Sequence, residues 1–182
     1  MQTIAYLRIW LEQNANEEHY MFELRDFRGL FPDLSNSAIK TLLSRAAKSG
    51  LLERICRGLY IYRRVMRADG LLLFYVAAYL RAGEFNYISL ETVLSDYGII
   101  SQIPINRIFI MSSGRSNVIS CGRYGTIEFI HTNKNPLDLI DQLAYDADCK
   151  MWRASKSLAL LDMRKTFRNS DLIDKDSVYE FI

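Results

Sequence analysis

Between Ser35 and Arg57 the chain sets short hydroxyls among long cations: Ser35, Ser37, Lys40, Thr41, Ser44, Arg45, Lys48, Arg54 and Arg57. That mixture suits double-stranded DNA. Small hydroxyl side chains let a helix backbone come close to the floor of a major groove, while Lys and Arg reach phosphates or guanine edges. Ser37, Lys40, Thr41, Ser44 and Arg45 are the candidates for base or phosphate contact. Lys48, Arg54 and Arg57 are read as backbone contacts, because long cations at a helix end and a hairpin tip meet phosphates first. From Ser35 to Arg67 eight cations stand against one anion, Glu53.

These side chains need a helix and a hairpin to present them. Ser35 is a good N-cap, with Leu34 before it and Ile39 after it at the spacing of a hydrophobic staple. Ile39, Leu42, Leu43 and Ala46 recur on one helical face, leaving the hydroxyls and cations on the other. Gly50 stands where a left-handed C-terminal residue belongs, and Lys48 lies favourably in the last turn. Residues 51–56 and 59–63 read as two strands, with Arg57-Gly58 at the turn. Upstream, residues 4–12 predict a first helix and about 23–30 a second. Tyr20-Met21-Phe22 is either a short strand or the lead into that second helix, and Trp10 and Phe27 are core residues. Three helices followed by a two-stranded wing is the order of a winged helix-turn-helix, assigned to residues 1–67.

The charge balance separates the two parts of the chain. Overall charge is only +2, but residues 1–67 are net basic and 68–182 mildly acidic, as expected for a DNA-reading module joined to a part with another role. Apolar residues make up 49% and aromatics 12% of the sequence, enough for a packed core. Cys56, Cys121 and Cys149 are odd in number and widely spaced, which argues against a disulfide framework or a zinc site. No signal-peptide pattern is evident, and the most apolar run, residues 71–80, is about half the length a bilayer requires. A cytoplasmic protein with no membrane partner is expected.

Residues 68–182 predict an α+β domain with a short antiparallel sheet. A polar linker over 63–69 leads to an apolar helix over 70–81. A segment Tyr87-Ile88-Ser89 precedes a helix over 90–97, with Ser89 as its cap. Residues 107–112, 117–121 and 126–132 read as strands punctuated by Gly114, Gly122 and Gly125. Asn135-Pro136 predicts the start of a helix over 137–147, with Asp138, Asp141, Asp146 and Asp148 near its wet side. A last helix is expected over 155–166, then a charged tail over 168–182.

Several of these segments resemble one family. The wing's Gly58-Leu59-Tyr60, then Ile88-Ser89-Leu90-Glu91-Thr92-Val93-Leu94-Ser95-Asp96-Tyr97-Gly98, is similar to the AbiEi family of antitoxins. So are Gly125, Ile127, Phe129 and His131 in a Gly-x-Ile-x-Phe-x-His run, and Ala154–Asp162 in an A-x-x-x-A-L-x-D-like helix. The resemblance implies a transcriptional autorepressor that binds inverted repeats in its own promoter. It also implies an antitoxin acting beside a nucleotidyltransferase-like toxin, with which a stable complex is not required.

Catalytic motifs are missing from the sequence. It has no GxSxG elbow, P-loop, HExxH or GxGxxG. His131 closes a strand, where a lone histidine is usually structural, and Glu128-Phe129-Ile130 lacks the lysine a restriction-type nuclease strand would carry. No catalytic residue, metal ligand or cofactor is assigned. Two other readings stand beside the first: a winged-helix regulator whose C-terminal domain senses a small molecule, and a DNA-anchoring accessory of a nuclease or transferase.

Overall fold

Leu7 and Leu11 bring the first helix, α1 (Gln2–Asn14), onto the core of an N-terminal unit, with Trp10 packed against Phe22 and Phe27. The computed structural model describes residues 2–100 and 106–166. The chain is α+β and divides into two units, Met1–Asp69 and Gly70–Ile182. In the first, strand β1 (Met21–Glu23) precedes a short helix, α2 (Asp26–Leu30). The second helix thus starts three residues later than its pattern predicts, because Met21–Glu23 pairs with the hairpin and the Asp26 carboxylate accepts from the Glu23 N–H at 2.6 Å.

Helix α3 (Asn36–Lys48) buries Ile39, Leu42, Leu43 and Ala46, the stripe that its periodicity predicts. Ser35 Oγ accepts from the Ala38 N–H at 3.2 Å and so satisfies one orphan donor of the first turn. At the other end the N–H of Leu51 bonds the Ala46 carbonyl at 2.9 Å and that of Gly50 bonds Ala47 at 3.1 Å. This Schellman pattern needs a left-handed residue, which Gly50 supplies at φ +73°. Ser35→Ala should lower stability by about 1 kcal/mol, read by denaturant titration of the full chain. A loss well below half of that would mean that water replaces the cap at no cost.

The hairpin is β2 (Glu53–Cys56) and β3 (Leu59–Ile61), turning at Gly58 with φ +85°. Leu51 and Leu52 are buried in the turn before it and do not extend the strand. With β1 the hairpin forms an antiparallel sheet in the order β1-β3-β2. Beyond it, residues expected to form a linker are held back on the unit. Arg63–Val65 is a 3-10 turn, Arg63 pairs with Glu53 at 3.4 Å, Arg64 with Glu12 at 3.5 Å, and Arg67 with Glu18.

The second unit is built on a six-stranded sheet, ordered β6-β7-β5-β4-β9-β8. Its elements are α4 (Leu72–Leu80), β4 (Asn86–Ile88), α5 (Leu90–Asp96), β5 (Arg107–Ser112), β6 (Asn117–Ser120), β7 (Thr126–His131), β8 (Leu143–Asp146), β9 (Met151–Ala154) and α6 (Lys156–Lys165). The expected short antiparallel sheet is corrected to a mixed one, since β5 pairs parallel with β7 and β4 parallel with β9. The helix expected over 137–147 is also corrected. Asn135 Oδ1 does cap the Leu137 N–H, but a 3-10 segment (Pro136–Gln142) follows and the chain then extends as β8 against β9. Asp146 is therefore not on a helix. Its carboxylate accepts from the Cys149 N–H and from Arg153 Nε, each at 2.9 Å.

Ser155 caps α6 through the Leu158 N–H, whereas Ser89 does not cap α5. Helix α5 packs on α6 and β5, and α4 packs against β5 and β7. The Thr92 hydroxyl joins α5 to the sheet by accepting from the Phe109 N–H at 2.8 Å. The charged tail expected over 168–182 lies outside the described residues. Among the described residues no helix is long and apolar enough to cross a membrane.

Candidate nucleic-acid interface

One face of α3 carries the predicted set. Ser37, Lys40, Thr41, Ser44, Arg45 and Lys48 are all exposed, and at 3.6 residues per turn they fall within an arc of about 140°. The opposite arc is the buried stripe, so the packing that holds the helix also fixes which side is presented. Ser35 stands apart from this arc at the cap, with its hydroxyl 2.9 Å from that of Ser37. The Thr41 hydroxyl donates to the Ser37 carbonyl at 3.0 Å, which leaves its oxygen lone pairs directed outward as acceptors. Nearly all the polar groups on this face are donors with long reach or small hydroxyls, and no carboxylate interrupts them.

Ion pairing sorts the eight cations into two groups. Arg63, Arg64 and Arg67 are tied to Glu53, Glu12 and Glu18. Among the described residues no carboxylate pairs with Lys40, Arg45, Lys48 or Arg57. The charge excess visible in sequence is therefore narrower than the count of eight suggested, and it is concentrated on α3 and the hairpin tip. Arg54 lies along the hairpin, its Nε donating to the Cys56 carbonyl at 3.2 Å where β2 bulges, and Arg57 is exposed beside Gly58. Unpaired exposed cations on a rigid scaffold create a local positive potential, which draws in a polyanion at low ionic strength.

A second polar centre, missed from sequence, lies inside the C-terminal unit. Asp162 of α6 is 1% exposed and receives three donors: Lys134 Nζ at 2.5 Å, Ser89 Oγ at 2.8 Å and Tyr87 Oη at 3.0 Å. This explains why Ser89 leaves α5 uncapped. Burial, reinforced by the neighbouring Asp162 carboxylate, pushes the Tyr87 phenol well above its ordinary range, so it stays protonated as a donor. The arrangement is saturated and closed, joining α6 to β4 and to the segment after β7. Its chemistry is that of a structural ion pair. The signal that could have found it is an acid inside the otherwise apolar run Leu158–Met163.

The edge hairpin has its own polar brace. Arg153 bridges Asp146 of β8 at 2.9 Å and Asp96 at the end of α5 at 2.6 Å. Burial pushes the Cys149 thiol up to about 11, with the Asp146 carboxylate adding to the effect. Cys149 is therefore protonated at neutral pH and unsuited to nucleophilic work. In comparisons with known proteins, the chain matches no family model and no curated protein sequence.

Proposed function

We propose that this chain is a DNA-binding transcriptional repressor of the AbiEi type. On this reading its N-terminal unit is a winged helix-turn-helix, with α3 as the recognition helix and β2–β3 as the wing. The observation that carries it is the α3 face of exposed hydroxyls and cations, with no carboxylate among the described residues paired to Lys40, Arg45 or Lys48. Element order supports the same reading: α1, β1, α2, α3 and the β2–β3 hairpin follow one another within the first unit, and β1 completes the hairpin's sheet. The target is double-stranded DNA, specifically inverted repeats in the promoter of its own operon. The inverted-repeat target and the antitoxin role beside a nucleotidyltransferase-like toxin rest on the sequence resemblance alone. No step of catalysis is assigned to the chain.

The test is binding of the full chain to its own upstream DNA, against random DNA of equal length, at two salt concentrations. Selective binding that weakens steeply with salt supports the repressor. Equal, weak binding to both DNAs overturns sequence recognition and leaves the α3 face as a non-specific anchor. Co-expression with the neighbouring gene tests the second role: if that gene is toxic alone and stays toxic beside this chain, the antitoxin assignment fails. Residues 1–69 should retain weak DNA binding and residues 70–182 should show none. Binding confined to the second fragment would reverse the assignment of the two units.

A further inference from the structure

The C-terminal unit holds a pocket of about 220 Å³ that the DNA reading does not use. It lies between the C-terminal end of α4, the turn entering β4, and the β8–β9 hairpin. One wall is aromatic. Tyr145 and Trp152 are cross-strand partners of that hairpin, set edge to face with centroids 5.4 Å apart. They remain 57% and 41% exposed, an unusual state for two large rings in register on one sheet face. Exposed rings on a strand pair are the kind of surface on which a nucleobase stacks.

The rest of the lining supplies charge on fixed supports. Arg81 borders the pocket, but its guanidinium is engaged by β6 and β7: it lies over the Phe129 ring, with NH2 donating to the Arg115 carbonyl at 2.6 Å and to Asn117 Oδ1 at 3.0 Å. Lys150 closes the hairpin loop in the left-handed conformation, at φ +54°, where glycine would be unstrained. Its ammonium lies 5.7 Å from the Tyr75 ring centroid, within cation–π range. Glu84 is the acid of the lining, and it accepts from Ser113 Oγ at 2.9 Å. At the floor, Asn86 Nδ2 is pinned to the Arg81 and Glu84 carbonyls at 2.7 and 2.8 Å, so the pocket base is rigid. A lysine beside a stacking wall favours a flat ring that carries a negative group.

We propose that this pocket binds a nucleoside monophosphate, its base against Trp152 and Tyr145 and its phosphate toward Lys150. The volume accommodates a base with part of its ribose, leaving the phosphate at the rim. This site is independent of the DNA-binding reading and stands or falls separately from it.

The test uses the full chain carrying Trp10→Phe, which leaves Trp152 as the sole tryptophan reporter. Titration with AMP and UMP should give saturable quenching of its fluorescence. Ribose 5-phosphate should give none, and adenosine, lacking the charged group, should bind about tenfold more weakly. Lys150→Gly is the decisive variant, because it relieves the left-handed strain while removing the cation. It should weaken AMP about tenfold with thermal stability kept or raised. By calorimetry, Trp152→Phe should retain AMP binding and Trp152→Ala should lose it. Absence of saturation up to millimolar nucleotide overturns the proposal. So does ribose 5-phosphate binding as well as AMP, or undiminished AMP binding by Lys150→Gly.

Discussion

Lys40→Ala combined with Arg45→Ala should abolish operator binding while leaving the fold intact. Both side chains are exposed and, among the described residues, neither is paired with a carboxylate, so their removal takes away nothing there that holds α3 in place. The buried stripe opposite them, and the Ser35 and Gly50 ends, are untouched. Each lost groove or phosphate contact is worth about 1–3 kcal/mol, so the pair together should weaken specific binding by at least thirtyfold or so. The two losses also carry a signature beyond affinity. Each missing phosphate contact should reduce the slope of log affinity against log salt by about one. Titrations at several salt concentrations, with circular dichroism as a fold control, read both. A double variant that binds its operator at wild-type strength removes α3 as the recognition element. The three paired cations offer the contrast: Arg63→Ala should change binding little, because Glu53 already offsets that charge.

The second large effect belongs to Asp162. Replacing it by alanine strips the partner from Lys134, whose side chain is only 17% exposed, and orphans the hydroxyls of Ser89 and Tyr87. Removing one member of a buried ion pair typically costs about 3–5 kcal/mol, because the remaining charge is left in a poor solvent. Domains are stable by only about 5–15 kcal/mol, so this single change should bring the C-terminal unit near its unfolding threshold. Urea titration followed by tyrosine and tryptophan signals measures it. Adding Lys134→Met to Asp162→Ala should restore part of the loss by removing the stranded charge, and the double-mutant cycle gives the coupling directly. If Asp162→Ala costs less than about 1 kcal/mol, water reaches Lys134 and the pair is not buried in any energetic sense.

The two units differ in how far their sequences disclose them. In the first, the determinants are local. Ser35, the four-residue apolar stripe, Gly50 and Gly58 each act within a turn of their own position, and the structure finds them where the pattern puts them. The α3 face was legible for the same reason. What could not be read was which cations are neutralised, because Glu12 and Glu18 meet Arg64 and Arg67 across the unit and not along the chain. In the second unit the strand runs over 107–112 and 126–132 were visible as β-branched and aromatic segments. Their parallel pairing was not, since adjacency in a sheet leaves no mark on either strand alone. Residues 143–146 mislead for a physical reason. Asn135-Pro136 is a genuine capped start, but the chain turns out after Gln142 because β9 offers a hydrogen-bonding edge. Ser89 looked like a cap and is instead bound to an acid from α6, a partner that local spacing does not reveal.

The parallel pairing of β4 with β9 sets an order of assembly during synthesis. The first unit has its last strand once Ile61 has emerged from the ribosome, whereas the central strand of the second must wait for β9, ending at Ala154. At ordinary translation rates the roughly ninety intervening residues take about 5–20 seconds. For that interval the nascent chain displays a finished basic unit followed by a segment whose sheet cannot close. Strands β4 to β7 can pair with one another once His131 has emerged, so the outer edge of β4 is what stays open until β9 arrives, as a template for aberrant pairing.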